Sequence, residues 1–82
     1  MLISQLYTAT VQGAPAALRV IRNDGYCWGE IRLAGGWRAA IVPRRDQYDN
    51  SDDDAAAVMF RAARAGRMEP SAIVDDSFLF EE

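Results

Sequence analysis

Apolar and polar positions along this chain fall into short alternating runs, one helical stretch and two late apolar bursts. From Leu2 to Val11, the set Leu2, Ser4, Leu6, Thr8 alternates with Ile3, Gln5, Tyr7, Ala9, and both sets contain apolar side chains. That pattern predicts a first strand covered on one face and partly on the other. Gln12-Gly13-Ala14-Pro15 interrupts it, because glycine loosens the backbone and proline lacks a donor.

Ala17–Asn23 and Tyr26–Leu33 read as the arms of a hairpin around Asp24-Gly25, a strong two-residue turn signal. If Asn23 pairs with Tyr26, Ile21 faces Trp28 and Arg19 faces Glu30. Leu18, Val20, Cys27, Ile31 and Leu33 then share one face. A second turn at Ala34-Gly35-Gly36 returns the chain as Trp37–Val42, and pairing across Gly35-Gly36 adds Ala40 and Val42 to that apolar face. Tyr26, Trp28, Trp37 and Ile41 become candidates for the opposite face, a dimer or partner surface if left uncovered.

Pro43 ends the sheet, and a polar loop follows to Asn50. Ser51 with Asp54 three residues on matches a helix-starting box, and Asp52, Asp53 and Asp54 fall where carboxylates meet free N–H groups. The helix is predicted from about Asp52 to Ala65, ending at Gly66. Its inward stripe is Ala55, Val58, Met59 and Ala62, widened by Ala56, Phe60 and Ala63, with Arg61 and Arg64 opposite. Ser71–Phe80, with its bursts Ala72-Ile73-Val74 and Phe78-Leu79-Phe80, predicts a last strand, placed beside the first. The expected fold is one α+β domain over residues 1–82: a four- to five-stranded antiparallel sheet, in the order β-β-β-β-α-β, packed against one helix.

Composition narrows the chemistry. The chain has no histidine and no lysine, since all nine bases are arginine. The easiest general base, most zinc sites, a Schiff-base lysine and a phosphate-loop lysine are therefore missing, and the expectation is a protein that is not an enzyme. Cys27 falls in a predicted strand with no histidine to activate it, and reads as a buried structural thiol. Asp49, Ser51 and Asp53 alternate like the start of a calcium loop, but Asp54 stands where glycine is needed and Phe60 where a bidentate glutamate is needed. No cofactor and no metal is expected. One cysteine, no signal-like start and no apolar run long enough for a membrane make the cytoplasm the default location.

The surface left for binding is acidic and aromatic. Arg44 to Asp54 holds five acids (Asp46, Asp49, Asp52, Asp53, Asp54) against two arginines, a net charge equal to the −3 of the whole chain. With Tyr48, these acids read either as a solvated loop with a well-capped helix start or as a ridge fitting an arginine- or lysine-rich groove. Trp28 and Trp37 read either as core or as interface anchors near turns. Net negative charge opposes direct nucleic-acid binding.

In small size, acidity and lack of catalytic residues, the chain resembles the small acidic inhibitors carried by phages and mobile elements, including anti-CRISPR proteins and other DNA mimics. The resemblance implies binding to a nucleic-acid-handling host complex, with Asp46, Asp49, Asp52, Asp53 and Asp54 carrying the contact. Two alternatives stay open: an antitoxin-like or regulatory subunit that dimerises and binds a cognate protein, and a structural subunit of a phage particle or secretion assembly. In every case the expected partner is another protein, with no membrane involved and a homodimer among the readings.

Overall fold

A computed structural model describes residues 1–36, 38–43 and 49–68. They form a five-stranded antiparallel sheet with one helix on one face, an α+β fold as predicted. The strands are β1 (Leu2–Ile3), β2 (Tyr7–Val11), β3 (Ala14–Asn23), β4 (Tyr26–Arg32) and β5 (Arg38–Ile41), and the helix α1 is Asp52–Arg64. β3 is the organising strand: β4 lies along one side, β1 and β2 lie end to end along the other, and β5 flanks β4. The predicted last strand, Ser71–Phe80, lies outside the described residues.

Two tight turns set the centre of the sheet. Gln12-Gly13 and Asp24-Gly25 all have positive φ, the backbone of the two-residue hairpin loops whose twist matches the strands. The second fixes Asn23↔Tyr26, Ile21↔Trp28 and Arg19↔Glu30, the register predicted from sequence. The first is tighter than predicted, so Ala14 and Pro15 belong to β3 rather than to a loop. Pro15 is tolerated because it pairs with Thr10 beyond the reach of β4, which extends only to Ala17.

Two registers depart from the sequence reading. The predicted first strand is broken: the four-residue step from Ile3 to Tyr7 faces the three-residue step from Ile21 to Leu18. The extra residue is a bulge, and it turns Leu2 and Tyr7 to the same side of the sheet. Ser4 holds the gap, accepting the Val20 N–H on Oγ at 2.8 Å while its own N–H donates to the Val20 carbonyl at 2.9 Å. The bulge explains why both alternating sets of that strand were apolar. The second departure is at β5. Ala34–Gly36 forms a 3-10 turn closed by Gly36 N–H donating to the Leu33 carbonyl at 3.2 Å, and Arg32 pairs with Arg38. This connection is longer than the predicted glycine turn, so the register slips by one residue. Ala39 and Ile41, not Ala40 and Val42, join the helix-facing side, and Ile41 leaves the candidates for the opposite face.

The core lies between that side and α1. Leu18, Val20, Cys27, Ile31, Ala39 and Ile41 from the sheet meet Ala55, Ala56, Met59, Phe60, Ala62 and Ala63 from the helix. Four of those six helix residues are alanines, so the helix rides low on the sheet. Gly29 receives its one long central side chain: a Cβ there would collide with the Met59 Sδ and stand 3.3 Å from its Cγ. Val58, predicted to point inward, is half-buried at the margin.

Both helix ends are closed. Ser51 Oγ accepts the Asp54 N–H at 3.2 Å. At the other end Gly66 N–H donates to Ala63 and Arg67 N–H to Ala62, at 3.0 and 2.9 Å, the paired bonds of a Schellman motif. Replacing Ser51 by alanine is expected to lower stability by about 1 kcal/mol in urea denaturation, and by aspartate to leave it nearly unchanged.

Candidate functional site

The start of α1 sits over β2 and β3, where one side chain from each strand pins it. Arg22 Nε donates to Asp52 Oδ1 at 3.1 Å, and another nitrogen of the same guanidinium donates to the Asn50 carbonyl at 2.6 Å. Tyr7 Oη donates to Asp53 Oδ1 at 2.6 Å. Two of the three helix-start aspartates therefore serve the fold as well as the surface. The Arg22–Asp52 pair is partly exposed, which limits its contribution to about 1 kcal/mol or less.

Arg22 lies two residues before the Asp24-Gly25 turn, so the helix start, the hairpin tip and β1 share one end of the domain. Asp24, Asp49, Asp53 and Asp54 are exposed there. The same end holds an apolar group of which the sequence singled out Tyr26 alone. Six large apolar side chains are exposed among the described residues. Four of them, Met1, Leu2, Ile3 and Tyr26, are at that end, with Tyr26 and Leu2 69% and 71% accessible, and the register turns Leu2 to the α1 side and Ile3 and Tyr26 to the other. The bulge in the first strand produces part of this cluster, and no sequence pattern marked it.

The other predicted contact residues divide. Asp46, Tyr48 and Trp37 lie outside the described residues. Trp28 is half-buried on the face away from α1, packed beside Ile21, so the sheet separates it from the helix-start acids. The expected acidic-aromatic surface is thus two surfaces, and Tyr26, two residues before Trp28 on β4, shares the Trp28 face, exposed at the hairpin tip.

Cys27 is buried on the helix side. Burial pushes its thiol pKa up, partly opposed by the neighbouring Arg22 charge, so little thiolate is present at neutral pH. A cleft of about 310 Å³ opens between the end of β5 and α1, lined by Ile41, Val42, Pro43, Val58, Arg61, Ala62 and Arg67. Its described lining carries two cations and no nucleophile or acid. No group of histidine, cysteine, aspartate and glutamate suited to a metal ion occurs among the described residues, and no described helix is long and apolar enough to cross a membrane.

Comparison with protein-family models, with curated proteins and with solved structures finds no match.

The Tyr7–Asp53 contact gives a titration signature. The bond to Asp53, reinforced by desolvation and by the carboxylate charge, raises the Tyr7 pKa above the ordinary value near 10. The phenol must be protonated to donate. Its contribution to stability is therefore complete below the unfolded tyrosine value and is lost as pH rises through the higher folded value. Absorbance at 295 nm should show a late-ionising tyrosine that disappears in Tyr7→Phe and moves to lower pH in Asp53→Asn.

Proposed function

We propose that this chain is a non-catalytic protein-binding module whose partner docks on the end formed by β1, the β3–β4 turn and the start of α1. The observation that carries this reading is that four of the six large apolar residues exposed among the described residues, Met1, Leu2, Ile3 and Tyr26, lie at that end, near exposed aspartates. Apolar anchors ringed by charge suit a protein interface: the anchors supply desolvation energy and the charges select a complementary surface. The complementary partner is basic with an apolar centre. An arginine- or lysine-rich channel of a nucleic-acid-handling complex has that chemistry, which supports an inhibitor as the finer reading. Asp49 and Asp54 offer their carboxylates outward, whereas Asp52 and Asp53 are engaged by Arg22 and Tyr7. Leu2 and Tyr26 are the anchors in this account.

The test is capture of a partner from bacterial lysate, followed by affinity measurement with the purified partner. Leu2→Asp or Tyr26→Ala should weaken binding roughly tenfold or more. Asp49→Arg with Asp54→Arg should weaken it and flatten its dependence on salt. Unchanged affinity in both sets would refute this site. Concentration-dependent dimerisation abolished by Leu2→Asp would instead assign the apolar end to a second copy of the chain.

A further inference from the structure

The outer edge of β2 is uncharged, and one side chain from the helix stands on it. β2 pairs with β3 on one side, and no described strand pairs with the other. Across the two-residue Gln12-Gly13 turn Val11 pairs with Ala14, which makes that pair a hydrogen-bonded one. Alternation along the ladder turns the N–H and C=O groups of Val11, Ala9 and Tyr7 toward β3, and those of Thr8 and Thr10 outward. Both threonines are exposed. Proteins protect such edges with a charge, a proline or a bulge, because unpaired backbone groups are a template for another chain. The bulge between Ile3 and Tyr7 leaves Tyr7–Val11 regular. No charged side chain occurs from Met1 to Leu18, and no proline falls within β2.

The charge comes instead from α1. Arg64 Nε donates to the Thr10 carbonyl at 3.0 Å, across 54 positions of sequence. Its guanidinium carbon lies 6.0 Å from the centre of the ring of Phe60, itself buried one turn back on the helix. At the other end of the helix the Tyr7–Asp53 bond ties α1 to the same strand. Asp53 and Arg64 stand about three helical turns apart, so both contacts come from one side of α1. The helix lies along β2 and sets a cation on an outward acceptor of its edge.

What Arg64 excludes follows from the symmetry of the strand. Two copies of β2 run antiparallel about a two-fold axis at Ala9 set Thr8 of each against Thr10 of the other. Each such pair exchanges two hydrogen bonds, and one of the two uses a Thr10 carbonyl. The threonines also meet side by side, a favourable cross-strand pair. With Arg64 in place that carbonyl is taken, and a guanidinium stands where the second strand would lie. We infer that Arg64 guards the β2 edge, keeping a second copy of this chain from joining sheet to sheet through Thr8 and Thr10. This contact is separate from the apolar end proposed above for partner binding.

The test is sedimentation velocity over a concentration series, with every protein carrying Leu2→Asp so that the apolar end does not contribute. Arg64→Ala should associate at a concentration about tenfold or more below its parent. Amide exchange should show the Thr8 and Thr10 N–H groups newly protected in the associated sample. Adding Thr8→Pro should reverse the association, since the ring removes an outward donor without costing a bond to β3. Arg61→Ala removes the same charge on the side of α1 that faces β5, and should leave association at the parent's level. Four results would overturn the inference: no added association in Arg64→Ala, equal association in Arg61→Ala, association that Thr8→Pro leaves intact, or threonine amides that stay unprotected in the associated sample.

Discussion

The close seating of α1 on Gly29 is the constraint on which the rest of this domain depends. A glycine inside a strand costs about 0.5–1 kcal/mol relative to alanine, so it needs a compensating contact. Here the compensation is Met59, whose thioether occupies the space a side chain would fill, flanked by Leu18. The helix offers otherwise mostly alanines, which can bury area only if the backbone itself comes close. A thin core of this kind tolerates little error in helix position, because a small shift opens gaps along the whole contact.

That position decides what the surface looks like. With α1 held over β3 and β4, its first turn falls beside Arg22 and Tyr7, and Asp52 and Asp53 are drawn into contacts with them. Acids for which the sequence allowed either a capped helix start or a binding ridge are thus partly structural, and among the described residues the outward charge narrows to Asp24, Asp49 and Asp54 with the exposed part of Asp53. The same end gains its apolar character from β1, a two-residue strand that β3 pairs but no described helix covers. In the proposed binding role the helix start and the hairpin tip would serve both stability and recognition, and β1 mainly recognition.

Much of the fold was legible, and the failures have specific causes. Asp24-Gly25 fixed the β3–β4 register because a two-residue turn leaves no freedom in pairing. Ser51 and Gly66 marked the helix ends because capping chemistry is local. The β5 register was misread because Gly35-Gly36 resembles a two-residue turn, whereas the chain makes a 3-10 turn and a longer connection. The bulge at Ser4 left a trace in the two apolar sets of the first strand, but alternation alone could not locate it. Gly29 carried no legible signal either, since the need for a glycine there arises from a helix thirty residues away in the chain. Of the candidate site, the acidic part was visible as composition. The apolar part was not, because Leu2 and Ile3 point to opposite faces of the sheet and are both exposed, which alternation does not mark.

A double-mutant cycle between Gly29 and Met59, read by urea denaturation, tests the central contact most directly. Gly29→Ala alone is expected to destabilise by about 1–3 kcal/mol, the usual cost of overpacking a full core. In a Met59→Ala background the same change should cost little or become favourable, since the collision is gone and only the intrinsic preference for alanine in a strand remains. An equal cost of Gly29→Ala in both backgrounds would contradict the account, because Met59 would then not be what requires the glycine.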